Sequence, residues 1–128
     1  MKVANPVGKK GEDLAVKYLM NKGFKVIDRN FRIKNGEIDI IGIYPSTPSG
    51  NKGVLVFFEV KTRTSSQYGT PFEAVTSWKM EALVRTAQFY KISHKNLPEQ
   101  MRIDAISVTL DTYDELSKIE QMENISGF

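Results

Sequence analysis

Hydrophobic and polar positions change period several times along the chain, and each change marks an element. Leu14, Ala15, Tyr18 and Leu19 recur at three- and four-residue steps, which predicts an amphipathic helix from Gly8 to about Asn21, stopped by Gly23. FKVIDRNFRI, beginning at Phe24, is a β-rich run. The Asn35-Gly36 pair within Lys34-Asn35-Gly36-Glu37 fits a tight hairpin turn, so a second strand should run from Glu37 to about Tyr44. YPSTPSGNKG then reads as a loop leading into VLVFFEVK, Val54 to Lys61. That run is apolar at nearly every position until its end, as a central strand covered on both faces should be. After the polar stretch TRTSSQYGTP, one helical turn is expected from Phe72 and a longer helix from about Ser77 to Ile92, capped by Thr76 or Ser77. MRIDAISVTL, Met101 to Leu110, alternates like a strand, and the acidic segment that follows shows no clear period beyond the prospect of further pairing. Helix, three strands, helix and strand describe an α/β sandwich with a central mixed sheet flanked by helices.

A length of 128 residues suits one domain, 1–128, with its own core. With 41% hydrophobic and 26% charged residues, the composition is that of an ordinary globular chain. No apolar run approaches the ~20 residues needed to cross a bilayer, and MKVANPVGKK lacks the apolar core of a signal peptide, so a cytoplasmic protein with no membrane partner is expected. The absence of cysteine excludes disulfides and thiolate metal sites, and His94 alone cannot make an imidazole-rich zinc site. Any metal must be held by oxygen.

The net charge of +3 is unevenly spread: residues 1–36 carry nine Lys or Arg against three acids, and residues 101–128 carry two against six. A basic N-terminal third containing Lys9, Lys10, Arg29 and Arg32 could attract a polyanion such as DNA or RNA. A solvated basic face with no partner explains the same charge equally well.

The chemistry concentrates in two predicted strands. Strict alternation would place Glu37 and Asp39 on one face and Ile38 and Ile40 on the other, and would group Glu59 and Lys61 with Leu55 and Phe57. Carboxylates in or beside a sheet need a counter-charge, a metal or water, and Lys61 can neutralise only one of them. A hard divalent cation such as Mg²⁺ wants what remains: one or two carboxylates, a carbonyl, retained waters and a phosphate oxygen. A neighbouring lysine can then orient or deprotonate an attacking water. The plainer explanation is an i,i+2 ion pair between Glu59 and Lys61, with Glu37 and Asp39 on an exposed edge.

Asp39 followed by Glu59-Val60-Lys61 resembles the PD-(D/E)XK nuclease signature, and the wider sequence resembles the YraN-type family of bacterial proteins. The likeness covers Gly8-Lys9-Lys10-Gly11-Glu12 with Ala15, Arg29-Asn30, Gly36-Glu37-Ile38-Asp39, Phe58 to Arg63, Tyr68-Gly69, Glu73-Ala74-Val75, Lys79, Ala87 and Arg102-Ile103-Asp104. It implies a restriction-endonuclease-like fold, similar to that of archaeal Holliday-junction resolvases. It also implies a metal-dependent endonuclease acting on DNA, with Mg²⁺ or Mn²⁺ held by Asp39, Glu59 and the Val60 carbonyl. Lys61 would activate water, and Glu12 would add a helix-borne carboxylate. Glu37 is assigned as a further metal-tuning acid. Lys9, Lys10, Arg29, Arg32, Arg63, Gln67 and Lys79 would contact nucleic acid, and branched DNA and a C2 homodimer follow by analogy. Ile38 stands where strict motifs have proline. The alternatives are a nucleic-acid-binding module that keeps this fold without catalysis, and a protein-interaction domain using the acidic C-terminal segment. His94, Trp78, Phe72, Phe89 and Tyr90 are read as capping, surface or core residues.

Overall fold

The computed structural model describes residues 6–45, 52–64 and 77–126. In chain order these form α1 (Pro6–Asn21), β1 (Lys25–Ile33), β2 (Gly36–Tyr44), β3 (Val54–Thr64), α2 (Ser77–Ser93), β4 (Met101–Leu110) and β5 (Leu116–Met122). The turn expected at Phe72 and the cap at Thr76 lie outside the described residues. One sheet holds all five strands in the order β1-β2-β3-β4-β5. β3 and β4, joined through α2, pair in parallel, while every other pair is antiparallel.

The two helices cover opposite faces. Gly11, Ala15 and Leu19 are the buried positions of α1, and Ala15 and Leu19 pack with Phe24, Ile40, Val56, Phe58, Ile106, Val108 and Leu110. On the other face Leu83, Ala87 and Tyr90 of α2 pack with Ile38, Ile41, Leu55, Phe57 and Ile103. Both stripes follow the helical repeat, in four-residue steps on α1 and a four- and a three-residue step on α2, and β3 feeds alternate residues to the two cores, as a doubly covered strand must. The three-layer α/β architecture is therefore as expected.

Local chemistry sets the connections. α1 ends in a Schellman motif: Phe24 N–H donates to the Leu19 carbonyl and Gly23 N–H to the Met20 carbonyl, with Gly23 at φ 99°. The first hairpin turns on Lys34 and Asn35, the latter at φ 64°, so β2 starts at Gly36, one residue earlier than expected. Gly36 is needed for a second reason, because a methyl there would run into Thr86 Oγ1 of α2. Gly11 is likewise pressed against Thr62 of β3. These two close approaches lock both helices to the same end of the sheet.

The acidic C-terminal segment supplies β5. Asp111 Oδ1 accepts from the N–H groups of Tyr113 and Glu115, building the turn that starts the strand. Ile119 reaches the α1-side core and Ile125 the α2-side core. Asp104 of β4 is fully buried and ties the far end together, accepting from Arg102 Nε and Nη2, Gln121 Nε2 and Asn124 N–H.

Candidate functional site

The sheet forks where the chemistry lies. The β2–β3 ladder stops at Ile40↔Phe58, yet β1–β2 continues to Ile33↔Gly36 and β3–β4 to Thr64↔Leu110. Gly36–Asp39 and Glu59–Thr64 therefore run on past their last mutual pair, leaving unpaired strand edges facing each other. Within a strand, a residue's N–H and C=O point to the same neighbour. Val60 directs both at β2, and its N–H donates to Asp39 Oδ2 at 2.7 Å.

A local inversion puts Asp39 there. Arg29↔Ile40 and Phe31↔Ile38 keep one register, so Asn30 stands opposite Asp39. Asn30 adopts φ 52°, a left-handed conformation that asparagine tolerates. Across this pair the alternation breaks: Ile40 packs on the α1 side and Ile38 on the α2 side. The expectation that Ile38 and Ile40 share a face, with Glu37 and Asp39 together on the other, is corrected by this inversion. Instead, Asp39 reaches across the fork within the sheet. On β3 the alternation holds, with Leu55 and Phe57 on the α2 side and Glu59 turned toward Lys79 of that helix.

Glu37, Asp39, Glu59, Val60, Lys61, Lys79, Ala82 and Leu83 line a cleft of about 310 Å³ at the fork. Lys79 Nζ lies 2.5 Å from Glu59 Oε1, and Glu59 is 8% exposed. The counter-charge on Glu59 thus comes from α2, not from an i,i+2 pair with Lys61. Glu37 is paired with Arg32 at 3.1 Å. Asp39 is pushed up to about 7, first by burial and then by the Glu59 charge, with Glu12 and Glu37 adding to the rise and the Val60 N–H opposing it. Glu12 is raised too, mainly by burial, with Arg29 and a hydrogen bond from Asn30 opposing and Glu37 adding. Four carboxylates from α1, β2 and β3 therefore feel one another around Asp39.

The basic residues are more engaged than their number suggests. Arg29 lies 2.8 Å from Asp13 and 4.0 Å from Glu12, and Lys9 lies 3.1 Å from Asp13. Lys10 reaches Glu115 at 3.8 Å. Arg63 is half-buried near the end of β3, and Gln67 lies outside the described residues. The basic excess of the N-terminal third is in good part compensated by acids in space, although exposed pairs of this kind hold each other weakly.

Among the described residues, no three His, Cys, Asp or Glu side chains form a group that could hold a metal ion. Asp39 and Glu59, with the Val60 carbonyl on the same edge, form a two-carboxylate oxygen set open to a cleft. That set fits a hydrated Mg²⁺, which takes one or two carboxylates and keeps waters, better than a closed cage ion. Excess negative charge around Asp39 points the same way. Sequence reasoning passed over two participants: Asn30, whose αL tolerance turns Asp39 aside, and Lys79 as the partner of Glu59. Asn30 was visible as an asparagine inside a strand and as part of the Arg29-Asn30 resemblance, neither of which signals a backbone inversion.

Fold and site together define a helix-covered, forked α/β sheet with an acid-and-lysine cleft at the fork. Residues 11–108 match the sequence model of the uncharacterised protein family UPF0102, and the chain belongs to that family. The YraN-type resemblance thus holds. A UPF0102 protein, TTE1452, of Caldanaerobacter subterraneus subsp. tengcongensis is 44% identical over 105 residues, covering 82% of this chain and 80% of its own. One from Alkaliphilus oremlandii is 42% identical over 120 residues, covering 92% and 95%. Among solved structures, a repair endonuclease from Pyrococcus abyssi aligns with 87% of this chain and 39% of its own, at 15% identity and a TM-score of 0.37. At that score the likeness carries no weight for function, and the architecture stands on the sheet described above. No helix among the described residues is long and apolar enough to cross a membrane.

Proposed function

We propose that this protein is a divalent-metal-dependent endonuclease that hydrolyses DNA phosphodiester bonds, with Mg²⁺ or Mn²⁺ as its cofactor. The observation that carries this reading is the crowding of acids on Asp39 at the open fork, in a cleft that two lysines also line. Structural carboxylates are surrounded by donors, whereas Asp39 has one N–H and three acidic neighbours. Asp39, Glu59 and the Val60 carbonyl would hold the ion, with Glu12 and Glu37 adding negative charge from the α1 side. When bound, such an ion withdraws charge from a phosphate and lowers the pKa of water.

The chain's own residues supply the rest. Lys61, at the mouth of the cleft on the same strand as Glu59, positions the attacking water and offsets charge building on the phosphate. Arg29 and Asn30 would steady Glu12 beside β1. Lys9, Lys10, Arg32 and Arg63 provide sequence-independent phosphate contacts that weaken with salt. Branched DNA cut by a C2 dimer is the substrate geometry the family resemblance favours.

The test is cleavage of labelled four-way, flap and linear DNA in Mg²⁺, Mn²⁺ or EDTA, beside Asp39→Ala and Lys61→Ala proteins. Metal-dependent nicking lost in both variants supports the reading. Wild type that binds all three DNAs and cuts none would leave a binding module in its place.

A further inference from the structure

Glu59 is claimed twice. It is one of three carboxylates lining the cleft at the fork, and it is the partner of Lys79 at 2.5 Å. An ammonium and a divalent cation cannot share that oxygen closely, because like charges a few ångströms apart repel. We propose, resting on the nuclease reading above, that Lys79 is a displaceable counter-ion: a divalent cation taken up by Asp39 and Glu59 expels its ammonium from Glu59 and frees it to engage a phosphate of bound nucleic acid.

Several features suit this exchange. Lys79 sits near the start of α2 and its side chain is 33% exposed, so its head can leave Glu59 without crossing the core. Its stem has four flexible carbons and a strongly hydrated head, unlike an arginine fork that would stay locked to the carboxylate. The α2 backbone is held meanwhile, because Gly36 of β2 is pressed against Thr86 and Leu83 and Ala87 are buried in the core. The movement is therefore confined to one side chain. Charge drives it: before the exchange the carboxylate of Glu59 holds the ammonium, and a dication taken up there would neutralise Asp39 and Glu59 and remove most of that attraction. Metal uptake and phosphate binding become coupled, each favouring the other, as linkage requires.

The experiment is calorimetric titration of Mn²⁺ into wild type, Lys79→Met and Lys79→Arg. Losing a competitor worth a partly exposed ion pair should tighten Mn²⁺ binding in Lys79→Met by about fivefold, while Lys79→Arg should bind no more tightly than wild type. A second arm measures duplex DNA binding in Ca²⁺ and in EDTA. Lys79→Met should lose DNA affinity in Ca²⁺ and match wild type in EDTA. Mn²⁺ binding that is unchanged or weaker in Lys79→Met would overturn the exchange while leaving the nuclease reading intact. Equal tightening in the methionine and arginine variants would assign the effect to packing and also overturn it. No Mn²⁺ uptake by any of the three proteins would sink both readings together.

Discussion

Two aspartates stand two strands apart in one sheet, and their surroundings could hardly differ more. Asp104, fully buried on β4, accepts four hydrogen bonds: two from Arg102, one from Gln121 and one from the Asn124 N–H. Asp39, partly buried on β2, accepts one from Val60 and faces the charges of Glu59, Glu12 and Glu37. The first is a carboxylate whose lone pairs are satisfied by its own domain, so its job is to join β4 to β5. The second keeps unmet demand for positive charge beside open space. Burial alone does not distinguish a structural acid from a candidate functional one; the balance of donors against like charges does.

The contrast predicts opposite responses to mutation. Asp104→Ala leaves Arg102 and Gln121 without their main acceptor and should cost about 3 kcal/mol, measured by denaturant unfolding. A loss under about 1 kcal/mol would mean that Asp104 is no more than a replaceable surface-like contact, and the comparison would break.

Asp39→Asn should do the reverse. Asparagine still offers an oxygen to the Val60 N–H and removes the repelled charge. The sign follows from the direction of the shift: Asp39 lies at about 7 in the folded protein and near its ordinary value when unfolded, so its ionisation works against folding. That cost is absent below about pH 4, grows as pH rises through 7 and is complete above it. At pH 8, without divalent ions, Asp39→Asn should be more stable than wild type by on the order of 2 kcal/mol. The advantage should fade as pH falls from 7 toward 4. Equal stability of the two proteins across that range would show that the neighbouring acids do not act on Asp39 as argued.

A smaller effect concerns how Asp39 acquires those neighbours. Gly11 lets α1 approach Thr62 closely enough for the Glu12 charge to be felt at Asp39. Gly11→Ala gains some helix propensity and meets Thr62, for a net loss of about 1 kcal/mol by thermal unfolding. Because Glu12 would shift away, the pH-dependent part of the Asp39→Asn advantage should shrink in that background. An unchanged advantage would remove Glu12 from the site.

Much of this was legible in the pattern of residues, and the failures have physical causes. The period of Leu14, Ala15 and Leu19 and the apolar run of β3 reflect faces that must be buried, so both elements could be read directly. β5 was not legible because LSKIEQM is a polar edge strand, placed by Asp104 and the Asp111 turn and not by its own hydrophobicity. The pattern singles out the acids that the fold brings near the fork, yet alternation misjudges the direction of Asp39. Alternation assumes regular backbone, and one left-handed Asn30 opposite Asp39 cancels it. The Lys79–Glu59 pair joins α2 to β3 across two layers of the fold, and no local period encodes such a contact.

A third kind of charge completes the comparison. Lys10 near the start of α1 lies 3.8 Å from Glu115 in the β4–β5 turn, a half-buried lysine against an exposed acid at the surface. Lys10→Ala should change stability by less than about 0.5 kcal/mol, because solvent and salt already screen the pair. If α1 lies along the DNA path, the same substitution should lower affinity for every sequence alike and reduce the slope of log affinity against log salt by about one. An unchanged slope would put the DNA elsewhere, and the basic N-terminal third would then be solvated charge compensated by its own acids. The stability measurement and the salt slope thus separate what the chain needs to fold from what it offers a partner.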